Sequence, residues 1–435
     1  MYPQISRVVA GATACIALCA AAPAAAEQRP AGRTADGGQV LLVGGGKNAR
    51  RSYEPQLPAR ADAGLGREPA LRASASHTGA KRPAVRSAAK LRFARRGRRA
   101  VLRALSSARR SKRITRTQHM RFRRFYVLAR TRARRLGGTR GRELAAVVST
   151  VEAIAIRRAL NAARMPALFL ILRRNAEFWP RSPLPSPRGT VQFRGSEMLF
   201  EYYPGYGLQL QPLVNFKLAN NLHGACVKQT EVPCDRGALR SLLRELVRTS
   251  SRRGGFRTWE YYFEFGGGRP PWISGMAQAT AIQAFGRASE LLGKSAYRGY
   301  AQDAMAAFET RAPVGVLTDG PLGGPHYLQY SFAPSLYITN ALLQTVTGLY
   351  DYTAVTGDKR ARRLWRAVEP EARAELVASD TGSWSTYSYR GAESTREYHE
   401  LLREFAASLC SRLRHDTYCD TAERFERYVR RRDAR

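Results

Sequence analysis

Two polar stretches of the chain hold side chains that could move protons. Residues 382–402, "GSWSTYSYRGAESTREYHELL", carry Tyr387, Tyr389 and Tyr398, with Trp384, Arg390, Arg396 and His399 among them. Residues 324–340, "GPHYLQYSFAPSLYITN", carry His326, Tyr327, Gln329, Tyr330 and Asn340. A phenol titrates near ~10, between carboxylates and alcohols, and a neighbouring cation lowers that value. A phenol tuned this way can exchange a proton with a carbon acid. Arginine offers a planar fork that neutralises a carboxylate and stabilises the enediolate-like carbanion that results. Trp384 and the tyrosines offer flat faces to sugar rings. Taken singly, each tyrosine reads as well as an amphipathic packing residue with a wet hydroxyl. Three of them beside a guanidinium point to a site.

Other chemistries have less support. His223, His326, His399 and His415 are scattered without paired ligand spacing, so no metal is expected. The glycine runs at 44–46 and 266–268 do not form a phosphate-binding fingerprint, and no organic cofactor is expected. Asp319, Asp351, Asp380 and Glu397 could supply a paired-carboxylate hydrolase, but no pattern singles out two of them. A Ser-His-Asp triad has no nucleophile elbow to support it.

The elements that must position the loops are mainly helices. From Ser274 onward, Met276, Ile282, Phe285, Ala288 and Leu292 mark one apolar face that ends at Gly293. Further helices are expected from about Ser295 to Arg311 and from Ser335 to Thr356. Gly357 ends the latter, and Asp358 reads as the next N-cap. A weak repeat of helix, turn and amphipathic helix suggests antiparallel pairs in an (α/α) barrel or toroid. Upstream, 188–268 is rich in aromatic, alternating pieces such as "VQFRGSEMLFEYYPGYGLQL", read as β-hairpins bent at Pro204-Gly205. Residues 111–180 read as a helical lead-in broken at Pro166. The main domain is expected at 181–435.

Residues 1–26 read as an export signal, with Arg7, an apolar middle and Ala24-Ala25-Ala26 before Glu27. A secreted or cell-envelope location follows. Cys226, Cys234, Cys410 and Cys419 then read as two local disulfides, Cys226–Cys234 and Cys410–Cys419, rather than a zinc site. The net charge of +38 is concentrated: residues 81–142 hold 24 Lys or Arg and no acidic residue. Residues 27–110 are expected to be a disordered basic arm. Its expected partner is an anionic envelope polymer or lipid rather than nucleic acid, because no regular aromatic interleaving would stack bases.

The motifs together resemble the D-glucuronyl C5-epimerases, in their C-terminal helical domain. "WISGMAQATAIQAFGRA" is similar to that family's Trp-x-Ser-Gly-Met-x-Gln opening. "LQYSFAPSLYITNALLQTVTGLYDY" resembles its acidic-Tyr-Pro loop followed by Gly-Leu-Tyr-Asp. "DTGSWSTYSYR" and "EYHELL" resemble its Asp-x-Gly loop and Asp-Tyr-His. The resemblance covers about 190–430 and implies an (α/α) barrel. It also implies proton transfer by Tyr330, Tyr387 and Tyr398, with Arg390 and Asn340 holding a uronic-acid polysaccharide. Tyr389, His399, Trp384 and Gln329 complete the expected substrate site. Gln329 stands where the family has an acidic residue, and Ser388-Tyr389 replaces Asp-Leu. Leu402 replaces the final histidine. A uronan lyase and an inactive glycan-binding protein are the alternatives.

Overall fold

The structure, a computed structural model, describes residues 83–227 and 232–434, and the backbone of two strands at 30–33 and 39–43. The expected export signal lies outside the described residues.

The basic N-terminal region is more ordered than its composition suggests. Residues Pro83–Arg110 form α1 and Arg116–Arg135 form α2. In α1, Val101, Leu105 and Ala108 recur at helical spacing and are buried against α3 (Gly138–Ile156). In α2, Phe122, Tyr126 and Ala129 do the same, and Phe122 stacks on Phe169 of α4 (Met165–Phe178) at 4.8 Å. Thr115 and Gln118 close a reciprocal capping box at the start of α2. The expectation of disorder over 27–110 is therefore corrected for 83–110. An apolar stripe of one residue per turn is enough to dock a helix whose other positions are arginine. Pro166 falls in the first turn of α4, where its missing N–H costs nothing.

A five-stranded sheet packs beside these helices. Its strands are β1 (Pro30–Arg33), β2 (Gln39–Val43), β3 (Thr190–Phe193), β4 (Leu199–Tyr203) and β5 (Gly207–Leu210), in chain order across the sheet. The β4–β5 hairpin turns at Pro204-Gly205, and the buried Glu143 of α3 accepts the N–H groups of Gly205 and Gly207. Asn175 of α4 exchanges hydrogen bonds with the backbone of Leu208.

The rest is an array of helix hairpins: α5 (Pro212–Val227) with α6 (Arg236–Thr249), and α7 (Gly275–Leu291) with α8 (Ala296–Met305). Next come α9 (Thr339–Thr356) with α10 (Lys359–Ala378), and α11 (Arg396–Leu413) with α12 (Asp416–Asp433). The first helix of each pair packs on the first helix of the next, so α5, α7, α9 and α11 form a row. The fold is mainly helical. Two short hairpins interrupt the array, β6–β7 (Ser251–Arg253, Phe256–Thr258) and β8–β9 (Leu317–Asp319, Pro325–Tyr327).

The helix boundaries follow the sequence punctuation. Ser274 caps α7 through Ala277 N–H, Gly357 ends α9 at φ +71°, and Asp358 caps α10 through Ala361 N–H. Two expectations are corrected. Helix α9 starts at Thr339 instead of Ser335, because 330–336 is taken up by turns closed by Ala333 N–H to Tyr330 O and Leu336 N–H to Ala333 O. The stretch 188–268, expected as β-hairpins, also carries the helices α5 and α6. Disulfides join Cys226 to Cys234 and Cys410 to Cys419. The second ties the end of α11 to the start of α12.

Candidate active site

Residues 328–331 are fixed first. Gly275 N–H donates to Leu328 O, and Ser331 N–H donates to Ile273 O. A side chain at Gly275 would meet Leu328 O at 2.7 Å, so glycine permits the close approach. Gln329 is buried, and its Oε1 accepts from Ser274 Oγ at 3.1 Å. The amide that replaces the family's acid is thus tied to the N-cap of α7. Tyr330 is 2% exposed and lies among Phe265, Trp272 and Phe332, with ring centroids 5.3–5.6 Å away.

The second loop, 379–395, hangs between α10 and α11. Asp380 anchors its start, accepting from Gly382 N–H, Arg424 Nε and Tyr428 Oη. Bridges between Asp380 and Ser385 and between Thr386 and Glu393 fold it on itself. Trp384 is 1% exposed and has both faces occupied. His399 stacks on one side at 3.7 Å, and the Arg432 guanidinium lies 3.7 Å from the same ring centroid. The indole N–H donates to Ser394 O.

His399 completes this anchor. Its Nε2 is 3.1 Å from the Phe425 carbonyl, which can only accept, so Nε2 carries the proton. Nδ1 then accepts from Ser385 Oγ at 2.8 Å. Burial, with the charges of Arg432 and Arg403, pushes the imidazole pKa below the ordinary histidine value, against the hydrogen bond to Phe425. Trp384 and His399 were expected to touch substrate. Here they form a buried strut that holds the loop on α11 and α12.

The strut sets the tyrosine pair. Tyr398 follows Arg396 and Glu397 in the first turn of α11, and its ring meets Tyr387 edge to face at 4.7 Å. Tyr398 is 7% exposed and Tyr387 is half-buried. Ser388 to Gly391 makes a turn in which Arg390 takes φ +53°, a left-handed conformation that favours glycine. The exposed Arg390 guanidinium lies 5.2 Å from the centroid of the Tyr389 ring. Tyr389 N–H donates to Tyr337 O, joining the second loop to the first. Asn340, buried in the first turn of α9, begins just after that contact. Arg396 does not belong to this set: it pairs with Glu400 and with Asp433 at the end of α12.

The structure therefore brings Tyr387, Tyr389 and Arg390 of this loop together with Tyr398 of α11. It links that loop to the segment bearing Tyr330 and Asn340. Three of the four carboxylates considered for hydrolysis are held in ion pairs: Asp351 with Arg287 and Arg412, Asp319 with Arg311, and Asp380 with Arg424. Among the described residues no group of three or more His, Cys, Asp or Glu is placed to hold a metal ion. A small pocket is lined by Met198, Asn215, Trp259, Glu260 and Tyr262, and none of the candidate tyrosines lines it.

Residues 253–427 match the D-glucuronyl C5-epimerase C-terminus. All nine candidate catalytic and substrate residues lie inside that matched segment, as does Cys410–Cys419. The family is an epimerase family, and its substrates are implied to be uronic-acid polysaccharides. Within the segment, sequence reasoning missed a buried pair beside the site. His326 Nδ1 lies 2.7 Å from Glu375 Oε1, both side chains being fully buried. The Tyr337 ring meets His326 edge to face at 5.1 Å. Burial raises the Glu375 carboxyl pKa, against the His326 hydrogen bond. Only the unusual histidine in a polar loop could have signalled this, because Glu375 is one of several acids on α10.

Proposed function

We propose that the protein is an exported uronate C5-epimerase acting on glucuronosyl residues within a polysaccharide. One tyrosine of the set Tyr330, Tyr387 and Tyr398 removes the C5 proton, and another returns a proton from the opposite ring face. Between the two steps the electron pair is delocalised into the carboxylate, where the Arg390 fork balances the charge. Asn340 and Tyr389 hold the sugar. Trp384, His399 and Ser385 act as positioning residues, and Gln329 sets the Tyr330 backbone through Ser274. No net oxidation occurs, and the bond broken is the bond remade.

The observation that carries this reading is the 4.7 Å contact of Tyr398 on α11 with Tyr387, which lies on the loop that presents Arg390 within the epimerase-matching segment. The two disulfides are consistent with an extracellular site of action. Incubation with a glucuronan in heavy water should place deuterium at C5 and yield the C5 epimer, read by NMR. An unsaturated product absorbing in the ultraviolet would assign the chain to the lyases instead.

A second reading is favoured by burial. Tyr330 and Tyr398 are 2% and 7% exposed, and the family's acid before Tyr330 is an amide tied to Ser274. A protein that binds the glycan without turnover would show affinity and no deuterium uptake.

A further inference from the structure

The α1–α2 hairpin carries a surface that the active site does not use. Between residues 92 and 142, eighteen Lys or Arg side chains are exposed. The two acids of α3, which packs under both helices, are withdrawn from the surface: Glu152 is 3% exposed and bound by Tyr126 and Arg130, and Glu143 is bound by the β4–β5 turn. On α1, Arg92, Arg96, Arg99, Arg103 and Arg110 fall on one exposed stripe at intervals of 4, 3, 4 and 7. On α2 the same intervals give Arg116, Met120, Arg123, Val127 and Arg134, again all exposed. Each stripe runs about 27 Å at the helical rise of ~1.5 Å per residue. Both helices pack on α3 and touch each other, so their outward faces are contiguous.

We propose that this face docks the protein on an anionic phospholipid bilayer. Charge alone would suit any polyanion. The apolar residues discriminate. Met120 is 55% exposed and Val127 49%, both inside an arginine stripe, and Phe93 beside Arg92 is 40% exposed. A soluble polyanion leaves them wet, whereas a lipid headgroup layer offers phosphates for the arginine forks and an acyl boundary for the apolar tips. Nucleic acid is disfavoured, because Phe93 alone makes no stacking platform. The buried apolar stripes of α1 and α2 are spent on the protein core, and no described helix is long and apolar enough to cross a membrane. The docking is therefore peripheral, reversible and salt-dependent, with a range set by a screening length of ~8 Å at physiological salt.

The test uses the full chain in vesicle sedimentation, with phosphatidylcholine alone or mixed with phosphatidylglycerol. Binding should require the anionic lipid and fall as salt rises. The variant R116Q/R123Q/R124Q/R134Q should keep its melting temperature and lose vesicle affinity by about 100-fold or more. M120N/V127N should bind the same vesicles about tenfold more weakly and bind soluble polyglucuronate unchanged. Three results would overturn the proposal: equal binding to neutral vesicles, a folded arginine variant with undiminished vesicle affinity, or M120N/V127N indistinguishable from the parent on vesicles. Binding to polyglucuronate or RNA without vesicle binding would reassign the face to a soluble polyanion. The epimerase reading is independent, since C5 exchange on a soluble substrate needs no vesicle.

Discussion

Arginine has two different uses in the two halves of this molecule. In the α1–α2 layer most of it is exposed, and 81–142 supplies no acid to pair with it. In the α7–α12 array it is an internal connector. Asp351 of α9 is gripped by Arg287 from α7 and Arg412 from α11, with Gln283 adding a third donor. Burial alone would raise the Asp351 carboxyl pKa, but Arg412, then Arg287 and Gln283, hold it below the usual range. Asp380 likewise joins the 379–395 loop to Arg424 and Tyr428 of α12. What separates the two regions is the supply of carboxylates. Where acids are interleaved, arginine fixes the scaffold; where they are absent, it makes a field.

The largest effect that could break this contrast is loss of the central connector. Asp351→Ala leaves two part-buried guanidiniums uncompensated and should cost about 3–5 kcal/mol in denaturant unfolding. A cost below ~1 kcal/mol would show the grip to be incidental. Next, α1 is held by apolar burial rather than charge. Leu105 is fully buried, so Leu105→Ala should cost about 2–4 kcal/mol, provided the hairpin unfolds with the core. An unchanged midpoint would detach α1 from the cooperative unit.

A smaller effect is read from pH. His399 is held neutral chiefly by burial, and burial together with Arg287 lowers His223 to about 4. Both folded values lie below the ordinary ~6.5. The unfolded chain then binds more protons in that interval, and stability should fall as pH drops from about 6.5 towards 4. Glu375, raised by burial, acts in the opposite sense, so the histidine contribution is isolated by difference. His223→Gln should flatten the slope, and an unchanged slope would exclude it. The smallest effect belongs to the exposed stripe. Arg99→Gln with Arg103→Gln should change stability by less than about 0.5 kcal/mol per site.

The legible parts of the fold were those with local punctuation. Ser274, Gly357 and Asp358 mark helix ends by caps that need no tertiary partner. The α1 helix was illegible because arginine density hides a stripe of one apolar residue per turn, and only α3 reveals its value. The tyrosines and Arg390 stood out by type. The roles of Trp384 and His399 did not, since their partners Phe425 and Arg432 come from α12. Gln329 read as a missing acid, and its bond to Ser274 shows what the amide does instead.

The central claim is that phenols of this loop exchange the C5 proton. Tyr398→Phe and Tyr387→Phe remove one hydroxyl each and leave the edge-to-face ring contact available. Deuterium uptake at C5 of a glucuronan in heavy water, measured with binding on the same samples, tests it most directly. The account predicts that at least one variant folds, binds the polymer and loses exchange by ~10²–10⁴-fold. Exchange at the parental rate in both variants would contradict it and leave 379–395 a structural loop.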